Sequence, residues 1–225
     1  MTGKLIVLEG VEGAGKTTQL KQLHQWLEDL PQVQHLRHLG EMADIVITRE
    51  PGGTNLGQAL RTLLLDGSAS HQVNDRAELL MYAADRAQHV DEVMRPVLAR
   101  GGWVLCDRFV DSTVAYQGYG RGLDLSLIER LNRIATNGLT SDLTLWLRLD
   151  AEVGLDRSQK RGPLDRMETA DAQFHQRVQQ GFEALADAHP RRIAVVDAAQ
   201  PVDQVAQQIQ ALVLDRLTLW YGHRL

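Results

Sequence analysis

The stretch Gly10-Val11-Glu12-Gly13-Ala14-Gly15-Lys16-Thr17-Thr18 constrains this chain more than any other. Its Gly10, Gly15, Lys16 and Thr17 satisfy G-x-x-x-x-G-K-[ST], a loop whose backbone N–H groups turn inward around phosphate. Such a loop needs a strand to deliver it and a helix whose positive N-terminus faces the anion. Both are legible: the apolar run "LIVLE" at 5–9 precedes the loop, and a helical pattern over 15–30 follows it. The expected ligand is a nucleoside triphosphate, with Lys16 on the β- and γ-phosphates and the Thr17 hydroxyl on Mg²⁺. Glu12 sits badly in that picture. At about 4 Å and an effective dielectric near 20, a carboxylate facing a phosphate charge costs roughly 4 kcal/mol. Either the loop is misread, or Glu12 faces something other than a phosphate.

Four more apolar runs follow: "DIVIT" at 44–48, "WVLCD" at 103–107, "LTLWLRL" at 143–149 and "RIAVVD" at 192–197. Each is continuous rather than alternating, as in strands covered on both faces. Helical patterns lie between them, at 55–66, 75–99, 123–137, 151–161 and 169–188, with a last one at 201–219. The alternation predicts right-handed β-α-β crossovers: a three-layer α/β/α fold of the P-loop NTPase type, with a five-stranded parallel sheet and helices on both faces. Ligands then bind beyond the carboxyl ends of the strands. A length of 225 residues suits one domain of this kind. The segment "PQVQHLRHLGEMA" at 31–43 has the least regular pattern and reads as a solvated insertion; His35 and His38 in it lack a third metal ligand at a familiar spacing.

Composition narrows the function. A net charge of −5 argues against a protein that coats a nucleic-acid backbone. No apolar run is long enough for a membrane helix, and the run before Glu9 is too short for a signal-peptide core, so a cytoplasmic chain is expected. The single cysteine, Cys106, reads as a buried strand residue rather than a thiol nucleophile.

Several phosphate-loop classes remain. The N-K-x-D tetrapeptide expected of a regulatory GTPase does not occur. "WVLCD" passes for the acidic strand of a motor or transport ATPase, but arginine follows the acid in "CDRF", 106–109. Asp107 is placed to support Mg²⁺, while Arg108 is placed to reach an anion between donor and acceptor. That pairing suggests transfer to another phosphate rather than to water.

Five ordered blocks carry a resemblance over nearly the whole chain: "LEGVEGAGKTTQ", "TREPGGT", "RAELLMYAADRAQHV", "LCDRFVDSTVAYQG" and "LDRSQKRGPLDRME". The sequence resembles the bacterial thymidylate kinases. That resemblance implies ATP as donor, thymidylate (dTMP) as acceptor, dTDP as product, Mg²⁺ as cofactor and a homodimer. It implies a single domain over 1–225, with the phosphate loop at 10–18, an acceptor-binding part at about 49–120 and a lid at about 155–168. Arg49 and Arg108 would hold the acceptor phosphate. Tyr82, where the family more often has phenylalanine, would stack on thymine, and Arg86 would donate to its 4-carbonyl. Thr113 and Gln117 would read the base edge. Either Arg157 or Arg161 would bring charge from the lid to the transferring phosphoryl group. Glu12 would accept a hydrogen bond from the acceptor's 3′-hydroxyl. "YGRG" at 119–122 reads as no more than a mobile turn, Thr54 as a helix cap and "DAAQP" at 197–201 as the adenine loop. Two alternatives stay open: a kinase for another nucleoside monophosphate, or an ATP-binding switch without turnover.

Overall fold

The computed structural model describes residues 3–66, 73–222 and 224. Its sheet has strands β1 (Lys4–Glu9), β2 (Ile45–Arg49), β3 (Trp103–Asp107), β4 (Leu143–Arg148) and β5 (Ile193–Asp197). All pairings are parallel, in the order β2-β3-β1-β4-β5. The helices are α1 (Lys16–Asp29), α2 (Pro31–His38), α3 (Asn55–Leu65), α4 (Asp75–His89), α5 (Arg95–Ala99), α6 (Val110–Thr113), α7 (Leu125–Thr136), α8 (Ala151–Arg161), α9 (Ala172–Ala188) and α10 (Val202–Tyr221).

β1 shows why the strands read as unbroken apolar runs. Ile6 and Leu8 point into a cluster formed with Leu20, Leu23 and Leu27 of α1 and with Val178 and Phe182 of α9. Leu5 and Val7, one residue out of phase, enter a second cluster with Val90, Met94, Val104 and Phe109. A strand between two cores has no polar face. Cys106 belongs to the second cluster and is fully buried, and burial pushes its thiol well up.

Three readings need correction. Segment 31–43 is not merely a solvated insertion: it opens with α2, whose Val33 and Leu36 are fully buried and whose Arg37 grips Glu28 at 2.7 and 2.6 Å. Only two apolar residues carry that burial, so no stripe betrays the helix. The pattern over 75–99 is two α-helices joined by a π-helical turn, Val90–Met94, where the Arg95 N–H reaches back five residues to Val90. Pro96, with no N–H of its own, follows at once. A second π-helical stretch, Val114–Gly120, runs into 119–122, and Arg121 there bonds to Glu78, so "YGRG" is a pinned turn. Thr54 does cap α3, accepting the Gly57 N–H at 3.0 Å. At the other end α10 runs two residues beyond the expected 219, bringing Trp220 and Tyr221 onto Trp103 at ring distances of 5.5 and 6.3 Å. His223 and Leu225 of the tail lie outside the described residues.

Leu8 is fully buried in the central strand, against α1 and α9. Leu8→Ala is expected to lower the unfolding free energy by about 2–5 kcal/mol, read as a lower urea midpoint with an unchanged m-value. A loss below about 0.5 kcal/mol, the range of exposed sites, would contradict this placement.

Candidate active site

The loop after β1 turns through three glycines with positive φ: Gly10 at 143°, Gly13 at 69° and Gly15 at 88°. Lys16 folds back across it, donating from Nζ to the carbonyls of Gly10 (3.0 Å) and Val11 (2.8 Å). Burial, then the nearby Arg108, lowers the Lys16 pKa, and Glu12 and Asp107 work in the opposite direction. The Thr17 hydroxyl donates to Asp107 at 2.9 Å. These hard oxygens at the mouth of a cavity suit Mg²⁺ in its usual hydrated coordination. The loop also lies hard against α8: a Cβ on Gly13 would stand 2.1 Å from the Gly154 carbonyl oxygen, and one on Gly154 would stand 2.3 Å from that of Glu12.

Arg108 leaves β3 with φ 71°, a left-handed conformation unusual for a residue with a side chain. Buried Glu9 holds the turn beyond it, accepting from the N–H groups of Phe109 (2.8 Å) and Ser112 (3.1 Å) and from the Ser112 hydroxyl. Burial, with Asp111 nearby, pushes the Glu9 carboxyl up to about 7, against the lowering influence of Arg108, Ser112 and Phe109. The guanidinium of Arg108 donates to the Gly10 carbonyl (3.0 Å), Ser112 Oγ (3.0 Å), the Tyr116 hydroxyl (3.1 Å) and the Glu12 carboxylate. It also lies 4.9 Å over the Tyr116 ring. Burial raises the Glu12 carboxyl, but Arg108, Lys16 and the Tyr116 hydroxyl outweigh it and bring it down to about 2.

A cavity of about 510 Å³, within the size range of ligand pockets, opens over these strand ends. It brings together the loop residues Glu12, Gly13, Gly15, Lys16, Thr17 and Thr18 with Arg49, Tyr82, Arg86, Asp107, Arg108, Thr113, Gln117, Arg157 and Arg161. Gly10, Val11 and Ala14 shape the loop from behind; Val11 and Ala14 belong to the core. Arg49 ends β2 exposed, and its side chain makes no hydrogen bond or ion pair among the described residues. Arg61 on α3 lines the same end, and burial together with the Arg49 charge lowers its pKa.

Arg86 is anchored rather than free. It donates to Glu50 (2.8 Å), Asn132 Oδ1 (2.7 Å) and the Phe109 carbonyl (3.0 Å). Glu50 in turn meets His89 at 2.9 Å, and His89 meets Thr48 at 2.6 Å. The Tyr82 hydroxyl has no partner among the described residues, and burial pushes it up. Gln117 donates from Nε2 to Glu78 at 2.7 Å. In the lid segment, Arg157 reaches the Ala198 carbonyl at 3.2 Å, in the loop after β5, whereas Arg161 pairs with Glu168 at 2.7 Å and lies close enough to lower the Glu12 pKa. Arg166 points away, to the Leu64 carbonyl (2.8 Å) and to Glu78. Glu9, Glu50, Glu78, Ser112 and Tyr116 had no signal beyond their place inside the five blocks, and Arg61 lies outside them, because their partners are remote in sequence.

Two measurements probe this geometry. Gly154→Ala is expected to separate α8 from the loop and raise the ATP KM at least about fivefold, with a smaller effect on the acceptor KM; equal effects would contradict it. Glu9→Gln keeps both N–H contacts and imitates the protonated acid. With a folded pKa near 7 against 4.5 for a free carboxyl, Glu9 contributes stability that is lost as pH rises through that interval. The stability of wild type relative to Glu9→Gln should fall between pH 4.5 and 7 and then level off, whereas a difference that rises over the same window would overturn the assignment.

A family model described as thymidylate kinase matches residues 8–209. The thymidylate kinase of a Cyanothece species is 56% identical over 228 residues, covering 98% of this chain and 97% of that protein. The thymidylate kinase of Trichodesmium erythraeum is 52% identical over 223 residues, covering 98% and 99%. A crystal structure of thymidylate kinase from Ehrlichia chaffeensis superposes with a TM-score of 0.74 at 30% identity, covering 95% of this chain and all of that one. The match extends over nearly the whole sequence, and the chain belongs to the thymidylate kinase family.

Proposed function

We propose the following division of labour for the family's reaction, ATP-dependent phosphorylation of dTMP to dTDP. ATP lies with its phosphates in the loop 10–18 and its adenine toward the loop after β5, where Arg157 is anchored. The dTMP base enters between Tyr82 and the helix carrying Thr113 and Gln117, its phosphate meeting Arg108 and the Arg49 side chain, which has no ion pair among the described residues. Glu12 accepts from the sugar 3′-hydroxyl. One observation carries this assignment: a single cavity joins a triphosphate loop, two strand-end arginines and an aromatic and amide pair.

An oxygen of the dTMP phosphate bonds to the γ-phosphorus as the bond to the bridging β–γ oxygen breaks, leaving ADP. The nucleophile is already anionic, so no general base is needed. Lys16 and Arg108 share the transferred charge, and Arg161, whose charge acts on Glu12, supplies the third cation. Bound Mg²⁺, held by Thr17 and Asp107 in part through water, would neutralise the donor phosphates. The same proposal takes 1–225 as one catalytic domain that works as a homodimer in the cytoplasm; among the described residues no helix is long and apolar enough to cross a membrane.

The test is an assay coupled to ADP release with several monophosphates. dTMP should be the fastest acceptor, and Arg49→Ala should raise its KM at least about tenfold while the ATP KM stays within about twofold. Arg161→Ala should lower kcat with little change in either KM. Equal effects of Arg49→Ala on both KM values, or a faster purine acceptor, would sink the assignment.

A further inference from the structure

Glu78, on the first turn of α4, is fully buried and lies outside the residues that touch the cavity. Three side chains from elsewhere converge on it. Gln117 donates from Nε2 at 2.7 Å, Arg121 from Nη2 at 3.2 Å, and Arg166, at the end of the lid segment, pairs with the same carboxylate. The two guanidiniums compensate a charge that would otherwise be costly to bury.

A carboxylate only accepts hydrogen bonds, so the amide of Gln117 has one satisfactory orientation, with nitrogen toward Glu78. Turned over, it would set oxygen against oxygen at hydrogen-bond distance and leave both buried acceptors unsatisfied. Its oxygen is left without a partner among the described residues, while Gln117 itself lines the cavity. Arg86 also lines the cavity with three N–H groups engaged, which leaves two of a guanidinium's five for a ligand. The base end therefore presents an acceptor at Gln117 and donors at Arg86. A lactam edge matches both, its N–H meeting the amide oxygen and its carbonyl the guanidinium. Cytosine mismatches both, with its ring N3 lone pair against the amide oxygen and its amino group against the cation.

We propose that Glu78 is a specificity-determining positioning residue: by fixing the Gln117 amide with its oxygen toward the acceptor, it selects, among pyrimidines, a base with a lactam edge. This rests on the assignment of the Tyr82 and Gln117 end as the base site. Glu78 touches no substrate and acts only through the orientation of a neighbour.

The experiment compares kcat/KM for dTMP and dCMP in wild type, Glu78→Gln, Gln117→Ala and the double variant. An amide at position 78 can turn its own NH₂ toward Gln117 and let the Gln117 nitrogen face the cavity. Glu78→Gln should therefore shrink the dTMP-to-dCMP ratio at least about tenfold with the ATP KM unchanged, because sites built around a hydrogen bond discriminate strongly against ligands lacking it. In the Gln117→Ala background the same substitution should leave the ratio within about twofold, the signature of one residue acting through another. An unchanged ratio in Glu78→Gln, or an equal shift in both backgrounds, would overturn the proposal. Side-chain amide NMR of wild type asks the question without altering Glu78: the Gln117 Nε2 protons, assigned by their loss in Gln117→Ala, should keep their shifts when dTMP binds. A large shift of either would place the nitrogen on the base and refute the orientation. If wild type itself prefers dCMP or a purine monophosphate, the base-site assignment fails instead. A preference for dTMP with an unresponsive ratio sinks only the role of Glu78.

Discussion

Arg108 holds a left-handed backbone at the end of β3, a conformation that costs a non-glycine residue about 1–3 kcal/mol. The cost is met by the turn that follows, where two N–H groups and a hydroxyl close on buried Glu9. Strand β1 thus grips the turn after β3 through Glu9, one residue before the phosphate loop begins. Because the backbone is fixed, the guanidinium can lie across the strand ends and touch the Gly10 carbonyl, Glu12, Ser112 and Tyr116 together. Relaxing Arg108 to a right-handed conformation would swing its side chain off the line between the loop and Arg49. Arg108 thereby links the phosphate loop to the turn after β3 across the cavity.

The side of the cavity away from the phosphate loop is braced by charge where most of a protein is braced by apolar packing. Glu50 ties the turn after β2 to Arg86 and His89 on α4, Glu78 ties α4 to Arg121 and Arg166, and Asp111 ties α6 to Arg192 beside β5. Replacing a buried ion pair by well-packed apolar groups is often neutral or stabilising, so stability alone does not account for three of them. The cavity does. A space that must stay hollow cannot be held open by side chains that fill it, whereas ion pairs set fixed distances around its rim. They also orient the polar atoms that line it, as Glu50 does for Arg86 and Glu78 for Gln117.

This contrast decides what the sequence reveals. β1 and β3 are legible because each lies between two cores, and β4 because it is buried almost throughout, whereas the edge strands β2 and β5 keep apolar runs although Ile47 and Val195 are exposed. The phosphate loop is legible because its chemistry is local: three glycines, a lysine and a threonine within a few residues, after a strand. α2 is hidden because Val33 and Leu36 alone carry its burial, and the π-helical turns because moving a bond from the fourth residue to the fifth leaves the hydrophobic pattern almost unchanged. The braces are hidden for another reason. Glu50 and Arg86 are 36 residues apart, Glu78 and Gln117 are 39, and Glu78 and Arg166 are 88. In sequence Glu78 is only an acid in the first turn of a helix, where any acid is welcome. Arg86 is named from the resemblance of its block, but the three bonds that immobilise it are not legible.

Glu12 joins these strands of argument. In the sequence it looks like a repulsive charge inside a phosphate loop, and its low pKa means that it carries that charge at any working pH. The structure turns the charge toward Arg108 and the Tyr116 hydroxyl, away from the loop's own N–H groups. Without it, Lys16 and Arg108 would be less well screened from one another: Arg108 lowers the Lys16 pKa, and Glu12 is the largest of the carboxylate charges that oppose that effect. Two cations gathered before any phosphate arrives would repel and move apart, and would have to be reassembled on every turnover. An anion placed between them holds them where transferred charge develops, so less reorganisation remains for the reaction itself. The carboxylate that appears to oppose phosphate binding is what allows the cationic site to exist in advance of its ligand.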